Sequence, residues 1–405
     1  MKFATKKPLG DDGEKWFKVH GANIYGEDKL SFEDRVKWID DNSSNILDIF
    51  DTPNRFENEF LKKADKPFSF LAFAYEYREF IEDRENFKSS IPIAMDGSNN
   101  GTALLRDKKG AEKVNVLPTP NQTTPNDIYK DVADKTKDII DKDREYRVDK
   151  NRVIDREDIE KIFEYIDRDM TKKNVMTEVY GAGKDAKIGQ LREYITNKLS
   201  DKLNWNDEKI KLISNYLYIQ IDKAIKKELS SSNIYKKWMK KLAKEISNQN
   251  KKIKWKTPII GLEVIQEEFQ TKGYDISTKY NNKKYQIKIQ IPTDKIDDKE
   301  QTKGIAPNFV HSLDATHMFL TILNSKKEGI DSFATIHDSF ATHACDTQKL
   351  QESIRKSFIE MYQEDIIENL KKDIKKEYDI ELKDIKYQDN NFDYQEIKKS
   401  KYIFG

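Results

Sequence analysis

Ser332-Phe-Ala-Thr-Ile-His-Asp-Ser-Phe-Ala-Thr-His343 is the stretch on which the interpretation of the whole chain depends. Phe333, Thr335 and His337 alternate with Ala334, Ile336 and Asp338, a period of two that predicts a strand. We expect a tight turn next and a second strand from Ser339 to His343. Asp338 lies in that turn. Core packing does not explain a carboxylate there, because burying an unpaired charge costs several kcal/mol unless a cation or hydrogen bonds compensate.

A second carboxylate follows a short apolar run far upstream, in Ile91-Pro-Ile-Ala-Met-Asp96-Gly97-Ser98. Two strands that each end in an Asp are able to hold divalent metal between Asp96 and Asp338. Hard oxygen ligands suit Mg²⁺, which prefers a few carboxylates together with substrate phosphates and water. Two Mg²⁺ ions roughly 3.5–4 Å apart are the usual arrangement for nucleotidyl transfer. From these two segments alone, the alternative stays open that both residues are turn formers that hydrogen-bond their own backbone.

Cationic side chains are spaced along a third segment, Arg168-Asp-Met-Thr-Lys172-Lys-Asn-Val-Met-Thr-Glu-Val-Tyr180-Gly181. Arg168 and Lys172 share one face of a helix, where two cations repel by about a few tenths of a kcal/mol unless an anion lies between them. Tyr180 lies about 12 Å further along such a helix. One helix is thus able to present cations to a triphosphate and an aromatic ring to a sugar or base. The alternative is a solvated basic face with Tyr180 half-buried.

Taken together, these segments strongly resemble the single-subunit DNA-directed RNA polymerases of bacteriophages and mitochondria. The motifs that carry the resemblance are Asp96-Gly-Ser with Gly101, Arg168-x-x-x-Lys172 with Val-Met-Thr-x-x-Tyr180-Gly181, Gly304-Ile-Ala-Pro-Asn-Phe-Val-His311-Ser-Leu-Asp314, and His337-Asp338-Ser339. The resemblance runs from Lys7 to Gly405, and it corresponds to about the C-terminal half of the family's usual length. It departs from the family pattern between Gly101 and Arg106, where about four residues, one helical turn, are missing.

The resemblance implies an α+β, mainly helical fold, a right-hand polymerase palm and fingers with a small antiparallel palm sheet. We expect the palm to be formed by two separate parts of the chain, residues 1–120 with Asp96 and residues 311–405 with Asp338 and the C-terminal foot. Residues 121–256 are expected to form the helical fingers, which carry Arg168 to Gly181. Residues 257–310 are expected to form a projecting β-hairpin region. Alternating residues around Asn281-Asn282 support the hairpin. In relatives the corresponding hairpin reads promoter DNA, and a plain surface ribbon is the alternative here.

Template-directed nucleotidyl transfer is the activity that the resemblance implies: an RNA 3′-hydroxyl attacks the α-phosphate of an NTP, and pyrophosphate leaves. Asp96, Asp338 and the Gly97 carbonyl are then expected to hold Mg²⁺. Arg168 and Lys172 are expected to neutralise the triphosphate.

The same resemblance assigns substrate contacts to Tyr180, Gly181 and His311, with Tyr180 and His311 checking the ribose of the nucleotide. His311 also begins an i, i+3, i+6 pattern with Asp314 and His317. A metal site is conceivable for such a pattern, but its spacing fits no familiar zinc site.

Composition limits the classes of protein that fit. The 405 residues are 36% charged, but they include 20 Phe and 19 Tyr, which argues against disorder. The net charge is only +1, so a nucleic-acid site has to be a local basic channel. The single cysteine, Cys345, excludes a disulfide framework and a Cys-rich zinc site. Without an apolar run of membrane length or a secretory pattern, we expect no membrane association and a soluble, intracellular protein, in phage-infected cytoplasm or a mitochondrion.

The expected partners are a DNA template, an RNA product and NTPs. Because the resemblance leaves out the family's N-terminal half, a second hypothesis is a truncated or split fragment that binds nucleic acid or a partner chain and is inactive alone. A separate chain would then supply the missing half. A third hypothesis is a DNA polymerase of the related palm type, against which the His337-Asp338-Ser339 turn and the Lys172 to Gly181 pattern argue.

Overall fold

The computed structural model describes residues 2–97, 101–150, 152–179, 182–281, 283–386 and 392–404. Within these ranges the chain is mainly helical with small antiparallel sheets, the α+β class that the sequence predicts. Two of the predicted substrate contacts, Tyr180 and Gly181, lie outside the described residues, as does Ser98 of the first Asp motif.

The N-terminal part is a group of helices closed by short strands. Its elements are β1 (Lys7–Pro8), α1 (Gly10–Tyr25), α2 (Phe32–Asp41), α3 (Ser43–Asp48), α4 (Glu59–Lys62), α5 (Pro67–Glu82), β2 (Lys88–Ser89) and β3 (Ile93–Asp96). Their apolar side chains form one aromatic-rich core. Helices α1 and α5 approach closely because Gly21 has no side chain: a Cβ there would lie 2.4 Å from Cζ of Phe73.

Helix starts follow the capping chemistry of the sequence, although not always at the predicted residue. Ser31 caps α2 by accepting a hydrogen bond from the Asp34 amide at 3.0 Å, as predicted. The sequence after Ser31 predicts one helix to about Phe50. The structure divides it into α2 and α3, because Asn42 has a non-helical backbone (ψ 12°) between them.

The next part of the chain consists of helices. They are α6 (Gly101–Leu104), α7 (Lys108–Lys113), α8 (Ile128–Lys142), α9 (Arg156–Phe163), α10 (Arg168–Val179), α11 (Lys184–Leu203), α12 (Asp207–Glu228) and α13 (Ser230–Ser247). α6 is a single turn, which fits the missing residues after Gly101. The proline-rich loop before α8 predicts Thr124 as its cap. Asp127 caps the helix instead, with its Oδ1 accepting from the amides of Tyr129 and Lys130 at 3.0 and 3.2 Å.

Two antiparallel hairpins follow, formed by β4 (Ile253–Lys256) with β5 (Glu263–Gln266) and by β6 (Phe269–Tyr280) with β7 (Lys283–Ile296). The second is the hairpin that the sequence predicts. Its register pairs Tyr274 with Ile289 and Ile276 with Ile287, so apolar side chains share one face. Almost every residue of β6 and β7 is exposed, which agrees with a projecting ribbon.

The C-terminal part contains α14 (Asp298–Lys327), β8 (Ala334–Ile336), β9 (Ser339–Thr342), α15 (Thr347–Gln363) and α16 (Ile366–Tyr378). The sequence predicts a helix from His311 to about Ser325. α14 begins thirteen residues before His311 and contains Pro307. An internal proline lacks a hydrogen bond and commonly ends a helix. Here the burial of neighbouring side chains, including Phe309 and Val310, offsets that cost.

The central sheet connects the two cores of the protein. Its strand order is β3-β9-β8, all antiparallel. Ile93 of β3 packs into the N-terminal core, whereas Met95 packs into the large second core formed by the rest of the chain. The strand therefore reaches its end, Asp96, at the junction of the two. Among the described residues, no helix is long and apolar enough to cross a membrane.

Candidate active site

The central sheet brings Asp96 and Asp338 to the same end. β9 lies between β3 and β8, and Asp96 is paired with Ser339, the residue directly after Asp338. Ser339 is also paired with Ile336, so His337 and Asp338 form a two-residue turn. The two carboxylates that the sequence predicts to act together, 242 positions apart in the chain, are thus neighbours across one strand pair.

Backbone contacts hold this turn against the end of β3. The Gly97 amide donates to the Asp338 carbonyl at 3.0 Å, and His337 has a φ of +56°, in the left-handed region. Gly97 also forms an antiparallel bridge with Phe404. The C-terminal residues, which the resemblance assigns to a foot near the catalytic centre, therefore lie against the Asp96 strand.

Gly97 is required here because its neighbours approach too closely for a side chain. A Cβ would lie 3.1 Å from the Asp338 carbonyl oxygen and 3.1 Å from Cε1 of Phe404. We expect Gly97→Ala to lower the free energy of unfolding by about 1–3 kcal/mol. It should also move Asp338 away from Asp96. Chemical denaturation measures the first effect, and hybrid extension, normalised to folded protein, measures the second. A variant with wild-type stability and extension would contradict this description of the turn.

The electrostatics of the pair fit a divalent cation. Burial raises the pKa of Asp338, and the negative charge of Asp96 raises it further. Within the described ranges neither carboxylate forms a salt bridge with Lys or Arg, and no group of three or more His, Cys, Asp or Glu side chains is arranged to bind metal. Two carboxylates with a nearby carbonyl suit Mg²⁺, which completes its shell with water and phosphate oxygens.

Two histidines lie beside this pair. His311 lies on α14 with much of its side chain exposed. Partial burial of its ring lowers its pKa, the nearby His337 lowers it further, and the negative charge of Asp338 raises it. His20, on α1, has its pKa lowered to about 4, chiefly by burial and then by Lys66, and the Asp96 charge opposes this. His20 is therefore neutral at pH 7, and no role is predicted for it from the sequence.

His317 belongs to the core and not to a metal site. It is buried, its Nε2 lies 2.9 Å from the Ile354 carbonyl oxygen, and its ring centroid lies 5.3 Å from that of Phe340. Burial lowers its pKa to about 4. The i, i+3, i+6 pattern from His311 thus divides between the site and the core, which rules out the metal interpretation of that pattern.

On α10, Arg168 is already paired with protein groups. Its Nε donates to Asp127 Oδ2 at 2.7 Å, and its guanidinium lies 5.4 Å from the centre of the Tyr129 ring. Thr171 fixes the helix to the same place by donating to the Tyr129 carbonyl at 2.8 Å. Lys172 is half-exposed and forms no ion pair with other described residues. The two predicted triphosphate contacts therefore differ: Lys172 is available, whereas Arg168 has to share its charge.

Tyr129 connects α10 with the sheet. Burial raises the pKa of its phenol; the Arg168 charge lowers it, and the carboxylates of Asp127 and Asp338 raise it. Its hydroxyl is thus near enough to both Arg168 and Asp338 to respond to each.

A family model described as DNA-dependent RNA polymerase matches residues 7–404. The chain belongs to this family of single-subunit, phage and mitochondrial-type RNA polymerases. The match includes every element that carries the site, from β1 to the C-terminal Phe404.

Three similar polymerases illustrate the relationship. The mitochondrial DNA-directed RNA polymerase of Schizosaccharomyces pombe is 31% identical over 396 residues, which cover 93% of this chain and 33% of the relative. The mitochondrial DNA-directed RNA polymerase 1 of Arabidopsis thaliana is 32% identical over 415 residues, which cover 100% of this chain and 41% of the relative. The chloroplastic/mitochondrial DNA-directed RNA polymerase 2 of Arabidopsis thaliana is 34% identical over 380 residues, which cover 91% of this chain and 36% of the relative. The chain spans well under half the length of these relatives.

The structure brings Asp96, Gly97 and Asp338 together, with His311 close enough to respond to the charge of Asp338. Arg168 lies against Asp127 and Tyr129. Asp127 and Tyr129 are the contacts that sequence reasoning missed. The capping pattern at the start of α8 was a usable signal for Asp127. No local pattern indicates that its second oxygen contacts Arg168, 41 residues further along the chain.

Proposed function

We propose that this chain carries the catalytic region for DNA-directed RNA synthesis, which is template-dependent nucleotidyl transfer from NTPs. The observation that carries the proposal is the pairing of Asp96 with Ser339, which sets the two carboxylates at one sheet end. Tyr129, whose ring contacts Arg168 of α10 and whose pKa responds to the charge of Asp338, supports it. Family membership supplies the reaction class.

Asp96, Asp338 and the Gly97 carbonyl would hold Mg²⁺. When bound, the ions lower the pKa of the attacking hydroxyl and stabilise charge on the leaving group. The protein's part is to keep two like charges close together, with no Lys or Arg of the described ranges in a salt bridge to either of them. The turn at His337 and the Gly97 contact to Asp338 provide this rigidity.

In the proposed reaction, the RNA 3′-oxygen forms a bond to the α-phosphorus, the bond from that phosphorus to the bridging oxygen breaks, and pyrophosphate leaves. Lys172 would contact the triphosphate first, because it has no ion pair among the described residues. Arg168 would add guanidinium donors that Asp127 does not use, since that carboxylate engages Nε. Asp127 would then hold the guanidinium plane in a fixed orientation for a phosphate.

Selection of the ribonucleotide is assigned to Tyr180, Gly181 and His311. Tyr180 and Gly181 directly follow α10 in the chain, and His311 lies beside Asp338. A hydroxyl that hydrogen-bonds the ribose would discriminate against the sugar that lacks the 2′-OH, because its partner is then left unpaired.

Tyr180→Phe tests this assignment. We expect the preference for rNTP over dNTP to fall roughly tenfold, the value of one lost hydrogen bond, with a smaller change in rNTP use. Competing rNTP and dNTP incorporation on one primed hybrid measures the ratio. An unchanged ratio would remove Tyr180 from the ribose pocket.

On the same proposal, residues 1–120 and 311–405 form the palm, 121–256 the fingers, and 257–310 the region of the projecting hairpin. The DNA template, RNA product and NTPs are the proposed ligands. Because the relatives are named mitochondrial or chloroplastic polymerases, an organelle is a proposed compartment, with phage-infected cytoplasm as the other one.

A second candidate is a fragment that is inactive alone and works with a separate chain. The observation that favours it is length: the matches cover only 33–41% of the three relatives. Extension of a preformed RNA–DNA hybrid separates the two candidates. RNA extension by the chain alone supports the first; extension only after a partner polypeptide is added supports the second. Preferential use of dNTPs would instead indicate a DNA polymerase.

A further inference from the structure

A buried cluster of charged side chains joins three helices away from the Asp pair. Glu178 of α10 is 1% exposed and bonds Lys187 of α11 through Oε2 and Lys236 of α13 through Oε1. Lys187 is 2% exposed and Lys236 14%. We call these three residues the buried ion triad. Neither the proposed reaction nor the family motifs quoted above uses it.

The triad is an unusual choice for a protein interior. Taking charges out of water is costly, and apolar residues of similar size often stabilise a core equally well. Two cations around one carboxylate also leave a net positive charge, and burial accordingly lowers the pKa of Lys236 while Glu178 opposes the shift. What such a cluster provides over an apolar contact is one defined arrangement of the helices. Here it fixes α10 to α11 and α13.

The cluster is connected to both α10 and α14, two helices that carry candidate site residues. Lys236 adjoins Tyr235 on α13, and the Tyr235 hydroxyl donates to the Ala306 carbonyl of α14 at 3.1 Å. α14 carries His311, which responds to the charge of Asp338. On the other side, Glu178 is in the last turn of the helix that begins at Arg168. One chain of contacts thus runs from α10 to the helix beside the Asp pair.

We propose that Glu178 is a positioning residue of the polymerase. Through the buried ion triad it sets where α10 lies relative to Asp96 and Asp338, and hence whether Lys172 and Arg168 meet the NTP triphosphate. This inference rests on the proposed nucleotidyl transfer. Glu178 does not touch the substrate; it acts through the helix.

The same pair of helices provides a matched control. Lys173 of α10 and Glu193 of α11 form an ion pair at 3.0 Å, but their side chains are 60% and 56% exposed. Exposed pairs contribute little because solvent screens them. Glu193→Gln therefore removes a cross-helix ion pair of the same chemistry without leaving a buried charge.

The experiment compares wild type, Glu178→Gln and Glu193→Gln in single-nucleotide extension of a primed hybrid. For Glu178→Gln we expect the NTP KM to rise about tenfold or more with kcat changed less, since binding contacts shared by ground and transition states are lost. Glu193→Gln should stay within about twofold of wild type. A Glu178→Gln protein that is folded, by circular dichroism, and has the wild-type KM would overturn the proposal.

A second variant covers the case in which Glu178→Gln does not fold. In Glu178→Leu/Lys187→Met/Lys236→Met the three charges are replaced by apolar side chains, so no unpaired charge is buried. A purely structural cluster predicts a wild-type KM for this folded variant, and that result would overturn the proposal. We expect the KM to stay raised.

Hydrogen exchange separates failure of this inference from failure of the proposed function. If the wild-type chain does not extend hybrids at saturating concentrations, with or without a partner polypeptide, the proposed function fails, and amide exchange over residues 168–179 then decides the role of Glu178. We expect faster exchange in Glu178→Gln, or in the apolar triple variant, and not in Glu193→Gln. Equal exchange in all proteins would refute the positioning role without reference to activity.

Discussion

Asp96→Asn and Asp338→Asn are each expected to reduce nucleotidyl transfer by about a thousandfold or more, because either change removes one of the two carboxylates that the described residues bring to the site. The shapes of Asn and Asp are nearly the same, so packing around β3 and β9 should survive. The measurement is single-nucleotide extension of a primed RNA on a DNA template with Mg²⁺, alongside circular dichroism.

Asp331→Asn is the matched control. Asp331 lies just before β8, is exposed and pairs with Lys7 at 2.7 Å, so its removal deletes a carboxylate near the same hairpin but outside the site. Its extension rate should remain close to that of wild type. Near-normal extension by Asp96→Asn or Asp338→Asn would contradict the assignment of the metal site.

The melting temperature of Asp338→Asn as a function of pH tests the first prediction independently of activity. The folded-state pKa of Asp338 is raised, first by burial and then by Asp96. The folded protein therefore binds this proton more tightly than the unfolded chain, and stability falls as pH rises through the raised pKa. Above it, ionised Asp338 destabilises the fold. We expect Asp338→Asn to melt at the same temperature as wild type or higher at pH 7, although it is inactive, with the difference disappearing in acid.

The isolated chain is expected to bind an RNA–DNA hybrid weakly. Backbone phosphate contacts supply much of the affinity for nucleic acid, and a chain that matches 33% of a relative's length should form fewer of them. Losing three or four such contacts lowers affinity by orders of magnitude at physiological salt and makes the dependence of log K on log salt shallower by about three. We also expect no promoter-specific transcription by the 405 residues alone.

Binding titrations at several salt concentrations test this second prediction, with the full-length Schizosaccharomyces pombe polymerase measured on the same hybrid as the comparison. A partner polypeptide that supplies the unmatched region should tighten binding and steepen the salt dependence. Equal affinity and equal slope for this chain and the full-length relative, or promoter-specific initiation by the chain alone, would show that the unmatched region is not required.

The Asp pair could be predicted from sequence because local rules determine most of its geometry. Alternation and a two-residue turn define β8 and β9, and the apolar run before Asp96 defines β3. Two strands that each end in an Asp then need only to pair in the observed register, Asp96 opposite Ser339. The hairpin of β6 and β7 was predictable for the same reason.

Contacts between distant helices were not predictable. Glu178 is part of a polar, lysine-rich stretch, a composition that is typical of a solvent-exposed helix face. Its side chain is only 1% exposed because α10 packs against α11 and α13. The sequence around Arg168 indicates a cation without a protein partner, but in the folded chain Asp127, at the start of α8, accepts a hydrogen bond from it. Pro307 predicts the end of a helix, yet α14 continues through it because its neighbours are buried. In each case tertiary packing outweighs the local preference.

The most direct test of the central claim is single-turnover incorporation of one complementary NTP by the wild-type chain. The hybrid is supplied at low salt and at concentrations shown, in the same samples, to saturate the protein, so weak binding cannot hide the chemistry. The proposed centre at Asp96 and Asp338 predicts Mg²⁺-dependent addition of one ribonucleotide and release of one pyrophosphate. No incorporation by the saturated wild-type chain, with or without a partner polypeptide, would contradict it.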